Sequence, residues 1–268
     1  MSGLIQQTFA DLKHKQAKAV IPFLTADFPN REIFLHLLHE LPHHGATIIE
    51  IGIPFSDPMA DGTVIQKASA QSIQQGFQLQ QCLHDVADFK QAHPKIPIVL
   101  MTYVNPLFQY GMNDFLCDAQ KAKVDGLLMV DVPPEHHKHI VTIETDINMI
   151  RLITPTTHAE RLSKIQHHAS GFIYYVSVKG ITGSQVPQAS TVQKHLSVIK
   201  NKINLPMVIG FGISNEDIAK DMSDISDGVV IGSSFIHPFL NAHRDDFKSI
   251  STQQLLFINR IHDRIHHG

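Results

Sequence analysis

The chain has 268 residues, 43% of them hydrophobic and 18% charged, with a formal net charge of −3. That apolar content supplies a sizeable core and excludes disorder, and the near-balanced charge gives no reason to expect nucleic acid or a membrane surface as partner. Two cysteines, Cys82 and Cys117, are too few for a disulfide framework and lack zinc-site spacing, so a reducing compartment fits and both thiols are expected to be ordinary buried residues.

The opening MSGLIQQTFADLKHKQ lacks the basic region and apolar core of a signal peptide and reads as a short amphipathic helix. No apolar run reaches the roughly 18–20 residues of a membrane span, and a soluble cytoplasmic protein is expected. Residues 19–25 form the first apolar run. After it, Ile33, Phe34, Leu37, Leu38 and Leu41 mark the buried stripe of a helix closed by Pro42. His36, His39 and His43 fall on its other face. With no paired-histidine-and-glutamate zinc signature, that face is read as solvated rather than metal-binding.

Further apolar runs follow at residues 46–52, 96–103, 125–131, 148–153, 171–177, 205–211 and 227–232. They are near-continuous rather than alternating, as strands buried on both faces of a parallel sheet are. Helical patterns separate them. Val192, Leu196 and Ile199 make one such stripe, and Phe257, Ile258, Ile261 and Ile265 mark a last helix. Eight strands alternating with helices predict a (β/α)8 TIM barrel with an extra N-terminal helix, a single domain spanning residues 1–268. A doubly wound sheet is the structural alternative.

Barrels place chemistry at the carboxyl ends of their strands. Glu50 passes that filter. It interrupts the run Ile48, Ile49, Ile51, Ile53, and if Ile49 and Ile51 pack on helices it points into the barrel. Burial disfavours the charged form of a carboxyl, which suits a group that must carry a proton at neutral pH. The bland reading is a glutamate ion-paired within the fold, although no basic residue precedes Lys67 nearby. Asp57 in FSDP and Asp61 in MADG read equally as turn formers or, with Glu50, as a paired-carboxylate acid/base site. Tyr174 on the sixth strand reads as core packing or as a catalytic neighbour. With Phe23, Tyr103 and Phe211 it could line a flat apolar pocket for an aromatic substrate. Glycine-rich turns end the sixth, seventh and eighth strands: VKGITGS with Lys179, Thr182 and Gly183, then GFGIS with Gly212, then IGSSFIHP with Gly232 and Ser233. Such turns let backbone N–H groups approach an anion, and the Ser233–Ser234 stretch is placed to open a short helix, a frequent phosphate-binding arrangement in barrels. Their alternative is plain tight turns. Lys179 supports a rival reading, a Schiff-base aldolase. A second rival is a catalytically idle barrel kept to bind a partner.

The motifs GATIIEIGIPFSDPMADGTVIQKAS, MTYVNP, DGLLMVDVPPE, PTT, GFIYYVSVKGITG, GFGIS and DGVVIGSSFI occur in the order and spacing of the tryptophan synthase alpha chain family, which the sequence resembles over nearly its whole length. The family's most specific signature, ELGIPFSDPxADGPxIQ, reads here with Ile51 for Leu and Thr63 for Pro. The resemblance implies a TIM barrel that cleaves indole-3-glycerol phosphate to indole and glyceraldehyde 3-phosphate in tryptophan biosynthesis, with no cofactor in this subunit. It assigns Glu50 and Asp61 as the catalytic carboxylates and Tyr174 as their neighbour. It assigns Gly183, Gly212, Gly232 and Ser233 as backbone phosphate contacts, and Asp57 and Pro58 as a loop facing a PLP-dependent beta chain in an alpha2beta2 heterotetramer. Departures from the family pattern are Asp27 for a glycine, Gln71 where Arg is common, and a distinctive loop at residues 178–190.

Overall fold

A computed structural model describes residues 3–176, 189–210 and 212–267. Among the described residues nine parallel strands make one sheet: β1 Ala19–Thr25, β2 Ile49–Gly52, β3 Ile98–Thr102, β4 Gly126–Met129, β5 Asn148–Met149, β6 Arg151–Ile153, β7 Ile173–Val176, β8 Met207–Gly210 and β9 Gly228–Ile231. Their order is β5-β4-β3-β2-β1-β9-β8-β7-β6. The strand expected at 148–153 is therefore two elements separated by Ile150. Its first half pairs with β4 and its second with β7. Since β5 and β6 are consecutive in the chain, the ends of the order meet and the sheet closes into the expected barrel. The strands are buried almost throughout, which is why their sequences read as unbroken apolar runs.

Helices cover the outside. Arg31–Glu40 buries Ile33, Phe34, Leu37 and Leu38, with Asn30 capping its start by accepting from the Ile33 N–H. His36 and His43 are exposed, but His39 is half-buried, its ring 5.5 Å from that of Phe89 and 5.4 Å from that of His93, so that face is packed rather than simply solvated. No group of three or more potential ligands among the described residues has metal-binding geometry. Phe247–His267 lays Phe257, Ile258, Ile261 and Ile265 against the barrel, as the sequence pattern predicts. Cys82 is buried as expected. Cys117 is exposed, because the helix Met112–Lys121 turns Phe115, Leu116 and Ala119 inward and leaves position 117 on the solvent side. No described helix is long and apolar enough to cross a membrane.

The N-terminal helix Leu4–His14 buries Ile5 and Phe9. Ile5 reaches Gly126 at the start of β4, where an added Cβ would lie 3.0 Å from its Cδ1, and Phe9 packs 5.7 Å from the Phe172 ring just before β7. This helix plugs the end of the barrel where the strands begin. The carboxyl ends of the strands are left to form the open mouth.

Candidate active site

Inside the barrel, register sets which side chains meet. Glu50 pairs with Phe23 of β1 on one side and Val99 of β3 on the other, and its sequence neighbours Ile49 and Ile51 are fully buried. A Cβ added at Gly52 would lie 2.3 Å from Cζ of Phe23. Gly52 follows Glu50 by two residues and shares its face, so the Phe23 ring lies across the barrel interior at that level and Glu50 points inward with it. Glu50 is 1% exposed, and neither carboxyl oxygen has a hydrogen-bond partner among the described residues. Burial, and secondarily the charge of Asp61, raise its pKa to about 8. The carboxyl therefore holds its proton at neutral pH.

Asp61 sits in the loop after β2, 7% exposed. Burial raises its pKa to about 6, and a hydrogen bond from the Tyr103 hydroxyl opposes the rise. Asp61 is thus mostly ionised at pH 7 beside a mostly protonated Glu50. Two carboxyls in different surroundings hold different protonation states, the arrangement that acid/base work requires. The loop is tied down locally. The Asp61 N–H donates to the Pro58 carbonyl at 3.0 Å, the Ala60 N–H to the Tyr103 hydroxyl at 2.9 Å, and Gln66 Nε2 to the Asp61 carbonyl at 2.9 Å. Tyr103 directly follows β3, occupies the N-cap position of the helix Val104–Tyr110 and stacks obliquely on Phe55, ring centroids 5.2 Å apart.

Tyr174 lies buried in β7, its phenol pushed well above its ordinary pKa by burial, Glu50 and Asp61 in that order. Its ring occupies the space a side chain at Gly210 would need, since a Cβ there would fall 2.2 Å from the hydroxyl oxygen. Among the described residues, a Cβ added at Gly232 would meet nothing nearer than Phe23 at 3.9 Å. As the sequence suggests, the short helix Ser233–Ile236 begins immediately after Gly232.

A cavity of about 320 Å³ occupies the mouth. One wall is apolar and comes from Phe23, Val64, Ile65, Met101, Tyr174 and Val230. Asp61 and Gly62 close it on the β2 side, and Gly212, Ser214, Gly232, Ser233, Ser234 and His237 form the side built by the ends of β8 and β9. The structure thus brings together Phe23, Asp61, Tyr174, Gly212, Gly232 and Ser233, with Glu50 sealed in the barrel interior next to Phe23 and Tyr103 holding the Asp61 loop. Thr182, Gly183, Phe211 and Lys179 lie outside the described residues. Asp57 is exposed and Pro58 half-buried, away from the cavity wall. Met101, Val64, Ile65, Val230 and His237 line the cavity without having been singled out in sequence. Met101 was accessible to strand parity, since it pairs with Gly52 and so shares the inward face.

Two of the departures involve the loop after β1 and have structural accounts. Asp27 adopts φ +58°, a left-handed conformation natural to glycine and tolerated by Asp. Gln71 Nε2 donates to the Pro29 carbonyl at 2.9 Å, as does Gln75 Nε2, and together they tie the helix Thr63–Gln74 to the loop after β1.

The family model described as tryptophan synthase alpha chain matches residues 9–265. The tryptophan synthase alpha chain of Burkholderia lata is 42% identical over 234 residues, 87% of this chain and 86% of that protein. That of Psychrobacter cryohalolentis is 38% identical over 252 residues, 93% of each. Among solved structures, tryptophan synthase subunit alpha from Legionella pneumophila superposes with a TM-score of 0.89 at 30% identity, covering 99% of both chains.

Proposed function

The chain belongs to the tryptophan synthase alpha chain family, and from that membership we infer that its barrel mouth is the site where indole-3-glycerol phosphate is cleaved to indole and glyceraldehyde 3-phosphate. The observation that carries the reading is the buried Glu50 carboxyl, without a hydrogen-bond partner among the described residues, inside a barrel whose mouth holds Asp61 and an apolar wall.

The substrate has a flat indole, a short polyol and a phosphate. The cavity offers a surface for each: the apolar wall of Phe23, Ile65, Met101 and Tyr174 for the ring, and the Gly212, Gly232 and Ser233 turns for the phosphate. Gly183 and Thr182 complete the phosphate side in this proposal, and Phe211 the apolar wall. The volume sits at the lower end of the range typical of small-molecule pockets.

Cleavage requires indole C3 to become a leaving group. In the proposed mechanism Glu50 donates its proton to C3, giving an indolenine. The hydroxyl on the adjacent side-chain carbon then loses its proton to the resulting Glu50 carboxylate. The O–H electrons form the aldehyde C=O, the C–C bond breaks, and its electron pair returns to the ring, releasing indole. Asp61 accepts the hydrogen bond of the indole N–H and stabilises positive charge on that nitrogen. Among the described residues Glu50 has no hydrogen bond to break before its carboxyl rotates toward a bound substrate. Tyr174, packed over Gly210, fixes the wall against which the ring lies.

The family works with a beta chain, which would carry the PLP. We assign the contact surface to the loop with Asp57 and Pro58, where Met59 is 72% exposed, together with Phe108, 54% exposed on the helix Val104–Tyr110. An alpha2beta2 tetramer in the cytoplasm follows from the same reading.

The test is indole release from indole-3-glycerol phosphate by the purified chain, alone and with a beta chain. Glu50→Gln and Asp61→Asn should each lower kcat by at least about 10²-fold while substrate still binds. Retention of most of the kcat by Glu50→Gln overturns the assignment. Borohydride treatment during turnover should leave no adduct on Lys179, and a trapped adduct would favour Schiff-base chemistry instead.

A further inference from the structure

We propose that His237 binds the substrate phosphate through its imidazole, adding a side-chain donor to the cradle of backbone amides at Gly212, Gly232 and Ser233. This rests on the reading of the mouth as the site for indole-3-glycerol phosphate.

Among the described residues lining the cavity, His237 is the only one whose side chain can carry a positive charge. The rest of the β8–β9 side is glycine, isoleucine and serine, and the one ionised carboxylate on the wall, Asp61, repels a phosphate. Backbone amides bring partial charges only, so a dianion held by them alone is incompletely compensated. The Ser234 hydroxyl is already committed to the Ile213 carbonyl at 2.7 Å. That bond fixes the start of the short helix against the loop after β8, which leaves Ser233 and His237 to face the cavity opening.

The placement of His237 follows from helical geometry. It comes four residues after Ser233, at the point where the helix Ser233–Ile236 passes into the 3-10 turn His237–Phe239. Residues four apart share a face, and helical side chains lean toward the preceding turn. His237 and Ser233 therefore share one side of this turn, and both line the cavity. His237 is also exposed, while the next aromatic, Phe239, is fully buried. The chain thus anchors the turn with one ring and presents the other to the cavity mouth.

The experiment compares indole-3-glycerol phosphate with the phosphate-free indoleglycerol on the full-length chain, with inorganic phosphate as a competing anion. His237→Gln should lower the preference for the phosphorylated substrate, the ratio of the two kcat/KM values, by about three- to tenfold, as expected for loss of one charge-assisted contact at an exposed site. The loss should fall on KM, and inhibition by inorganic phosphate should weaken in parallel. His237→Lys should restore most of the preference. An unchanged ratio in His237→Gln, or an equal loss on both substrates, overturns the proposal and leaves the parent reading intact. Absence of indole release by the unaltered chain, with and without a beta chain, would instead overturn the parent reading.

Discussion

Glu50→Gln should make the protein more stable as the pH rises, even as it removes activity. In the unfolded chain this carboxyl titrates near 4.5, and in the fold near 8. The native state therefore keeps a proton that the unfolded state releases. Stability is fully present below about 4.5, declines as pH climbs through the interval, and stops declining above about 8. The separation of about 3.5 in pH, at 1.36 kcal/mol per unit, corresponds to about 5 kcal/mol lost across the window, of which about 3 kcal/mol is gone by pH 7. Glutamine has the shape of the protonated carboxyl and cannot ionise. Wild type and Glu50→Gln should have similar unfolding free energies at pH 4.5, and the variant should lead by a few kcal/mol at pH 7 and by more at pH 9. Urea unfolding followed by circular dichroism at the three pH values measures this directly. If the two proteins lose stability in parallel from pH 4.5 to 9, Glu50 is neither buried alone nor protonated, and the proposed proton donor is gone.

Three further outcomes follow from the same geometry. The pH profile of kcat/KM should be bell-shaped, rising through about 6 as Asp61 ionises and falling through about 8 as Glu50 loses its proton; a flat profile from pH 5 to 9 would contradict both roles. Gly210→Ala places a methyl carbon 2.2 Å from the Tyr174 hydroxyl, so it should cost about 1–3 kcal/mol and displace the ring into the cavity. Tyr174→Leu in the same chain should recover part of that stability, and strict additivity in the double-mutant cycle would show that the two side chains do not compete for one space. His137, whose pKa is lowered to about 4 by burial, Arg151 and His168 in that order, resists protonation in the fold, so stability should fall as pH drops from about 6.5 toward 4. His137→Gln should flatten that acid limb in thermal unfolding, and an unchanged limb would place its origin elsewhere.

Most of the barrel could be read from local sequence because the barrel imposes a local signature. A strand covered on both faces must be apolar throughout, and residues 19–25 show this so plainly that their bounds coincide with β1. The break at Ile150 left no such mark. NMIRLI carries no glycine or proline, and its division follows from which neighbour each half pairs with, β4 or β7. That is a consequence of closure, which no short window contains. Cys117 shows the converse. Its exposure was available from the spacing of Phe115, Leu116 and Ala119, but hydrophobic character alone suggested burial. His237 needed a helix start at Ser233 and a four-residue step, information present in sequence only once the turn after β9 is known to face a cavity.

Glu50 and Arg151 are the sharpest comparison, since both are charged residues within apolar strands and both are buried, at 1% and 3% exposure. Composition does not separate them, and register does. Arg151 pairs with Ile173, one position out of phase with the inward Tyr174, so it faces the helices rather than the barrel interior. There its guanidinium donates to the His168 carbonyl at 3.2 Å, near the end of the helix Ala159–His168, and meets His137 Nδ1 at 2.8 Å. The carbonyl end of a helix carries partial negative charge, so this cation is compensated by backbone, without an acidic partner among the described residues. Glu50 has no such compensation among the described residues: neither oxygen finds a donor there, and burial favours its protonated form. A fold that satisfies Arg151 through backbone carbonyls had comparable means of satisfying or replacing Glu50, and an isoleucine would continue the run around it at lower cost. The hydrogen-bonding capacity of Glu50 left unmet among the described residues is therefore the feature that packing does not explain and that the proposed proton transfer to a ligand in the mouth would.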